Sequence, residues 1–153
     1  TWGAKANLTD LAAAIGLGQL RHVDAFNARR RQLARRYFEQ WDAALGFELP
    51  PADLENHGNW HMFQPLLPRA AAPRRGTFIA AMKALGIGVG VHYPAMHLFA
   101  LFRARGHARG DFPLAEDIGE RTVTLPLFPA MSDADVDRVC AAVAAAAAAS
   151  ALG

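Results

Sequence analysis

The feature that most constrains this chain is a long segment of helical periodicity near its start. Between residues 9 and 45, apolar side chains recur at steps of three and four, the spacing that places them on one face of a helix. Thr9 can cap the first turn, and Gly46 follows the end. A straight helix of this length would measure roughly 55 Å, more than a small domain is wide. We therefore predict a helical segment with one buried face, broken near Gly16 and Gly18.

Three shorter stretches have the composition of β-strands. Residues 60–67 are rich in aromatic and apolar side chains, residues 87–93 alternate glycine with aliphatic residues, and residues 122–125 alternate threonine with aliphatic residues. Pro65 has no backbone donor, which predicts an edge strand or a bulge. Because helical stretches separate these strands, we predict an α/β (α+β-like) fold in which helices cover a small mixed or antiparallel sheet.

The later helices have recognisable first turns. Thr77 is a candidate cap for one helix, and Asp111 is a candidate cap for the helix that follows it. Ser132, with Asp135 three residues on, resembles a capping box. With 153 residues and 52% hydrophobic content, these elements can bury one core, and we predict a single domain over residues 1–153.

The charge pattern argues against a nucleic-acid partner. Five arginines form a basic patch on the first helical segment: Arg29, Arg30, Arg31, Arg35 and Arg36. No aromatic platform is interleaved with them and the net charge is only +2, so a solvated face or a subunit contact explains them better than nucleic acid does.

We expect neither a signal peptide nor a membrane span. The lone cysteine, Cys140, allows no internal disulfide, so we expect a core thiol and a cytoplasmic protein.

The densest group of candidate functional side chains is His92-Tyr93-Pro94 together with His97, where a predicted strand ends. Open sheets bind ligands at strand ends, histidine can relay protons near neutral pH, and tyrosine can donate to a phosphate or sugar oxygen. Two loop histidines bonded to backbone groups would have the same spacing. The glycines that precede His92 indicate that another group approaches the backbone closely.

Two further candidates are weaker. His57 and His61 are four residues apart, as in zinc sites on helices, but the predicted strand argues against a helix there, so we expect no metal site. Lys5 lies just before a helix start, where it can either meet an anion or simply be exposed.

Several motifs in order along the chain resemble the C-terminal part of the DegT/DnrJ/EryC1/StrS aminotransferases, which are pyridoxal-phosphate enzymes acting on sugars. The matching motifs are Gly3-Ala4-Lys5-Ala6-Asn7-Leu8-Thr9-Asp10, Ala13-Ala14-Ile15-Gly16-Leu17, Trp60-His61-Met62-Phe63, Val91-His92-Tyr93-Pro94 with His97, Phe112-Pro113-Leu114-Ala115-Glu116, and Leu125-Pro126-Leu127-Phe128-Pro129. They cover nearly the whole chain.

The resemblance implies the small domain of a fold-type I enzyme, packed beside a large cofactor domain in a homodimer. Members of the family transfer an amino group, usually from glutamate, to a keto group on a nucleotide-linked sugar. The lysine that binds the cofactor covalently belongs to the large domain upstream, and no segment here matches it. The resemblance therefore implies that this chain alone does not transaminate.

The resemblance also implies roles for four residues. The segment of Lys5 and Asn7 reaches across the dimer toward the cofactor phosphate. Many members have Gly-x-Asn-x-Arg there, so Lys5 occupies the asparagine position and Asn7 the arginine position. His92 and Tyr93 match the segment near the mouth of the substrate site.

Two other interpretations remain. Some relatives of this family are sugar dehydratases or regulators, and the residue that separates them from aminotransferases lies outside this chain. The chain could instead be a stand-alone interaction module that uses the long helix and its arginines.

Overall fold

The structure, a computed structural model, describes residues 7–52 and 58–151. Its helices are α1 (Asp10–Leu20), α2 (Val23–Gln40), α3 (Arg75–Ala84), α4 (Ala100–Arg103), α5 (Pro113–Arg121) and α6 (Asp133–Ala149). Short 3₁₀ turns lie at Ala43–Leu45, Arg69–Arg74 and Met96–Leu98. The helices α2 and α3 both pack on α6.

The long helical segment divides into α1 and α2, but not at the glycines. The predicted cap is confirmed, since Thr9 Oγ1 accepts a first-turn N–H at 3.2 Å. Gly16 and Gly18 lie inside α1, so the predicted break there is wrong, because a glycine weakens a helix without forbidding it. The chain turns instead at residues 21–22. The helix α2 ends before the predicted end, and Gly46, with a φ of 68°, ends the 3₁₀ turn that follows.

The large apolar side chains of α1, and Leu8 just before its cap, are exposed, which contradicts the prediction of one buried face along the whole segment. The exposed fractions are 73% for Leu8, 74% for Leu11, 59% for Ile15, 65% for Leu17 and 63% for Leu20. The helix α2, in contrast, buries Leu33, Ala34 and Tyr37. A helical period shows which side chains belong together, but it does not identify what covers them.

Isolated antiparallel bridges stand where strands were predicted, and no continuous strand forms in residues 7–52 and 58–151. The bridges are Phe63–Leu125, Leu66–Thr122, Gly90–Thr124 and Glu48–Leu66. Residues 122–125 are thus central, with residues 63–66 on one side and Gly90 on the other. Pro65 explains the interruption between the first two bridges, since it has no N–H to donate and only its carbonyl bonds, to the N–H of Val123 at 3.1 Å. We call this arrangement the bridge network.

One face of the bridge network lies in the core. Phe63 and Val123 are fully buried there, and Phe63 stacks on Tyr37 of α2 with ring centroids 4.4 Å apart. The hydroxyl of Tyr37 donates to the carbonyl of Pro126 at 2.6 Å. Successive side chains of an extended segment point to opposite faces, so Thr122 and Thr124 lie on the face away from this core.

The predicted helix starts had mixed outcomes. The capping box of α6 is confirmed, because Ser132 Oγ accepts the Asp135 N–H at 3.1 Å and the Asp135 carboxylate accepts the Ser132 N–H at 2.8 Å. Thr77 is not a cap, since α3 continues directly from a 3₁₀ turn and already contains it. Asp111 accepts the N–H of Ala108 at 3.0 Å and does not cap α5.

Candidate functional site

His92 lies on the face of the bridge network that points away from the core. Hydrogen bonds from two segments of the network hold it there. Its Nδ1 is 2.9 Å from Oγ1 of Thr124, in the central segment. The side-chain amide of Gln64, in the neighbouring segment, donates to the backbone carbonyl of His92 at 2.5 Å. Both partners are distant in sequence, so the tertiary fold orients this histidine.

Gly90 makes room for the imidazole. A Cβ on Gly90 would lie 2.6 Å from Cε1 and 3.2 Å from Nδ1 of His92, closer than side chains pack. The N–H of Gly90 donates to the Thr124 carbonyl at 3.0 Å, and the Thr124 N–H donates back at 2.8 Å. This confirms the prediction that another group approaches the glycine-rich backbone closely, and it identifies that group as the ring of His92.

A cleft of about 300 Å³ opens beside His92. Its lining residues are Glu48, Leu49, Pro50, Pro51, Gln64, Leu66, His92, Ile118 and Thr122. His92 Nε2 has no hydrogen-bond partner among the residues that the structure describes. The side chain of Tyr93 is 68% exposed, and its ring packs edge-on against His92 with centroids 4.9 Å apart. The site therefore offers one free ring nitrogen and one exposed phenol beside a largely apolar cleft.

His97 belongs to a different set of contacts. It is 7% exposed, and its Nε2 lies 2.9 Å from Glu116 Oε1 of α5. The same carboxylate accepts the N–H of Gly110 at 2.7 Å. The bond from Gly110 and the bond to His97 hold the pKa of Glu116 below its usual range. The two histidines that are close in the sequence therefore belong to different sites. His92 lies at the cleft, whereas His97 links its own loop to α5.

A second close contact holds the same loop. A Cβ on Gly119 of α5 would lie 2.7 Å from the backbone N of Ala95, so only glycine permits this approach. Arg75 Nη1 also donates to the Gly119 carbonyl at 2.5 Å. The chain that leaves Tyr93 is therefore fastened to α5 within a few residues.

The other candidates lie apart from this cleft. Lys5 and His57 fall outside the described residues. Asn7 is exposed before α1, and His61 is exposed as well. Within residues 7–52 and 58–151, no three histidine, cysteine or acidic side chains come together as metal ligands.

Three of the five arginines of the basic patch bind their own chain. Arg29 donates to the Met131 carbonyl at 2.6 Å, and Arg30 donates to the Leu127 carbonyl at 3.1 Å. Arg36 pairs with Asp137 through two bonds of 2.7 Å, which lower the pKa of that carboxyl. These contacts fasten α2 to α6 and to the segment before it.

Cys140 on α6 lies partly buried against the core, as predicted, and burial raises the pKa of its thiol to about 11. In the part of the chain that the structure describes, no helix has both the length and the hydropathy needed to cross a membrane.

Sequence reasoning missed Gln64, Thr124 and Glu116. The alternation of threonine with aliphatic residues at 122–125 predicts that Thr124 lies opposite the core, which is part of the signal. It does not identify His92 as the partner, because the pairing of distant segments is set by tertiary structure.

A sequence model of the DegT/DnrJ/EryC1/StrS aminotransferase family matches residues 1–144. An uncharacterized protein of Methanocaldococcus jannaschii is 36% identical over 144 residues, covering 92% of this chain and 37% of its own length. The spore coat polysaccharide biosynthesis protein SpsC of Bacillus subtilis is 35% identical over 144 residues, with the same coverage of 92% and 37%.

A solved structure is similar over most of the chain. The aminotransferase TlmJ from Streptoalloteichus hindustanus superposes with a TM-score of 0.77 at 31% identity, covering 92% of this chain and 36% of that one. The chain therefore spans just over a third of the length of the relatives that it matches. On its sequence and its fold together, this chain belongs to the DegT/DnrJ/EryC1/StrS aminotransferase family.

Proposed function

We propose that this chain is the small-domain portion of a pyridoxal-phosphate aminotransferase that transfers an amino group from glutamate to a keto group on a nucleotide-linked sugar. The proposal includes a homodimeric, cytoplasmic enzyme whose large cofactor-binding domain lies outside the 153 residues. It also holds that the 153-residue chain alone does not transaminate. Family membership supports the reaction class.

The observation that carries the proposal is the restrained His92 beside the cleft. Its Nδ1 is occupied by Thr124 at 2.9 Å, while its Nε2 has no partner among the described residues. A ring held at one nitrogen and open at the other can donate to, or accept from, an oxygen of a bound sugar. Tyr93, which is 68% exposed and packs edge-on against His92, brings a phenol close to the same ring.

The uncovered surface of α1 supports the placement beside a larger body. Four apolar side chains of this helix, together with Leu8 before its cap, are more than half exposed, which is more than isolated surface leucines explain. A helix of this composition is expected to pack on further protein. A large domain of the same enzyme, or a second subunit, would cover it.

The cofactor proposal rests on residues at the start of the chain. Asn7 is exposed ahead of α1, and its side-chain amide has no partner within the described ranges, so it is available to a phosphate oxygen. Lys5 would add a positive charge, as the family resemblance implies. Pyridoxal phosphate, when bound, supplies the electron sink for moving the amino group. We propose that Lys5 and Asn7 contact its phosphate, and that His92 and Tyr93 contact the sugar.

The test uses the full-length protein with glutamate and a panel of nucleotide-linked keto-sugars, with the aminated product detected by mass spectrometry. His92→Gln should lower kcat/KM for the sugar by at least about tenfold, since general acid–base and hydrogen-bonding groups contribute at this scale or above. His61→Gln is the matched control, because His61 is exposed and does not line the cleft. Equal activities for the two variants would contradict the role of His92.

The same assay separates the competing functions. A product that has lost water without gaining nitrogen would indicate a sugar dehydratase of the same family. No amination of any sugar, together with self-association that is unaffected by cofactor or sugar, would indicate an interaction module. Either result would overturn the proposed amino transfer.

A further inference from the structure

We infer that Thr124 is a positioning residue that holds the imidazole of His92 in the tautomer with its proton on Nε2, so that Nε2–H donates to an oxygen of the ligand in the cleft. This inference rests on the proposed function, in which His92 contacts the sugar. It assigns the binding geometry to a residue that touches His92 rather than the ligand.

The backbone pairing places the two side chains together. Gly90 and Thr124 form a reciprocal pair of hydrogen bonds, at 3.0 and 2.8 Å, and so lie directly opposite each other. His92 follows Gly90 by two residues, and its ring folds back over the missing side chain of Gly90. The imidazole thereby reaches Oγ1 of Thr124 at 2.9 Å.

The backbone is restrained both before and after His92. Gly90 is bonded to the central segment, and the carbonyl of His92 accepts the Gln64 amide at 2.5 Å. The central segment itself is buried, with Thr124 only 9% exposed. Thr124 Oγ1 forms no other hydrogen bond within the described residues, so its hydrogen is available to the ring of His92.

A threonine hydroxyl can either donate to Nδ1 or accept from it, and we assign it the donating role because Nδ1 is the only acceptor that its hydrogen has among the described residues. A threonine hydroxyl can donate one hydrogen bond, and a neutral imidazole has one nitrogen that accepts and one that donates. When the hydroxyl donates to Nδ1, the ring proton lies on Nε2, which is the nitrogen without a protein partner in the described ranges. The ligand group that this arrangement recognises is an acceptor oxygen, such as a keto or hydroxyl oxygen of the sugar.

The first test is nuclear magnetic resonance of the full-length protein labelled with ¹⁵N-histidine, recorded where the imidazole is neutral, with His92 assigned by loss of its signals in His92→Gln. In the wild type, the His92 signals should report the Nε2–H tautomer. Thr124→Val, which keeps the shape but removes the hydroxyl, should shift them toward a mixture of tautomers. Thr124→Ser keeps the hydroxyl and should retain the wild-type signals.

Two variants guard against a merely structural explanation. Thr122→Val removes a buried hydroxyl from the same segment that does not bond to His92, and it should leave the His92 signals unchanged. Gly90→Ala keeps the Thr124 hydroxyl but places a Cβ where Cε1 of His92 lies, 2.6 Å away, so it should reproduce the effect of Thr124→Val. Unchanged His92 signals in both Thr124→Val and Gly90→Ala would overturn the inference.

Kinetics of the full-length enzyme give an independent readout. Loss of one neutral hydrogen bond should lower kcat/KM for the sugar by about 3- to 10-fold in Thr124→Val, with rescue in Thr124→Ser and no change in the affinity for glutamate. Failure of the two proposals is distinguishable. If His92→Gln is fully active, the role of His92 in the proposed function fails. If His92→Gln is impaired but Thr124→Val changes neither signals nor kinetics, only the present inference fails.

Discussion

Replacing Arg121 with methionine should lower the free energy of unfolding by about 2–4 kcal/mol. Arg121 ends α5, is only 1% exposed and lies beside the bridge network. Its five N–H groups all donate, at 2.8–3.1 Å, to the carboxylates of Glu48 and Asp117 and to the carbonyl of Leu67. Three separate parts of the chain therefore meet at this guanidinium.

The magnitude follows from what each partner loses. Methionine has a similar length, so the cavity is small and the cost is mostly electrostatic. The side chain of Glu48 is 55% exposed and regains water, so the cost stays below that of a fully buried pair. The side chain of Asp117 is only 22% exposed and keeps only its pair with the exposed Arg69, and the Leu67 carbonyl loses its Arg121 donor, so most of the cost arises there. Arg121→Lys should be nearly as damaging, because an ammonium cannot form the same fork.

Urea denaturation followed by circular dichroism measures these differences, and Arg69→Met is the matched control. Arg69 pairs with the same Asp117, but its side chain is 64% exposed, so its loss should cost less than about 1 kcal/mol. If Arg121→Met and Arg69→Met destabilise the protein equally, the account of Arg121 as a buried junction is wrong.

The stabilities of the wild type and Arg121→Met should also depend differently on pH. Arg121 lowers the pKa values of both Glu48 and Asp117 in the folded state. A carboxyl with a lowered folded pKa contributes stability above its unfolded pKa of about 4 and loses that contribution as the pH falls through the folded value. The stability gap between the wild type and Arg121→Met should therefore narrow below about pH 4. A gap that stays constant down to pH 2 would contradict the electrostatic explanation.

Three further perturbations follow from single contacts. Gly119→Ala should lower the free energy of unfolding by about 1–3 kcal/mol, because its Cβ would lie 2.7 Å from the backbone N of Ala95. Gly76→Ala in α3 is the control, since the Cβ would have open space around it, and it should be neutral or stabilising in the same thermal unfolding experiment. Ser132→Ala should cost about 1 kcal/mol by removing the cap of α6, measured by thermal unfolding. Cys140, whose thiol pKa is raised to about 11 by burial, should react with a thiol reagent at pH 8 at least about tenfold more slowly in the folded than in the unfolded protein; equal rates would refute its burial.

Local signals in the sequence predicted only part of the local structure. The caps at Thr9 and Ser132 are confirmed because a hydroxyl before a helical stretch satisfies an orphan N–H within three residues. Asp111 fails as a cap because a nearby loop N–H, that of Ala108, competes for the same carboxylate. Neighbouring groups decide such cases, and the sequence does not rank them.

Long-range relations were beyond the sequence. The apolar period of α1 and α2 looks continuous, yet Leu33 is buried and Leu11 is 74% exposed, because burial depends on the surface that each helix meets. The bond between His92 and Thr124 joins residues 32 positions apart, and that between His97 and Glu116 joins residues 19 apart. Neither separation along the chain produces a recognisable sequence pattern, because both contacts depend on which segments pair in three dimensions.

Lys5 and Asn7 are candidates that the sequence supplies and the structure does not test. The family resemblance alone assigns a role to Lys5 and Asn7, and the role stays a prediction, since Lys5 lies outside the described residues and Asn7 is simply exposed. For His92, the resemblance gives the residue and the structure gives its partners. The combination yields an experiment on Thr124 that neither source suggests alone.

The most direct test of the proposed function is the half-reaction of the full-length protein. Pyridoxal phosphate is bound, glutamate is added, and the absorbance of the cofactor is followed together with the release of 2-oxoglutarate. The account predicts conversion to the pyridoxamine form with stoichiometric 2-oxoglutarate, and reversal when a nucleotide-linked keto-sugar is added. A protein that binds no cofactor, or whose bound cofactor is unchanged by glutamate and every other amino donor, would contradict it.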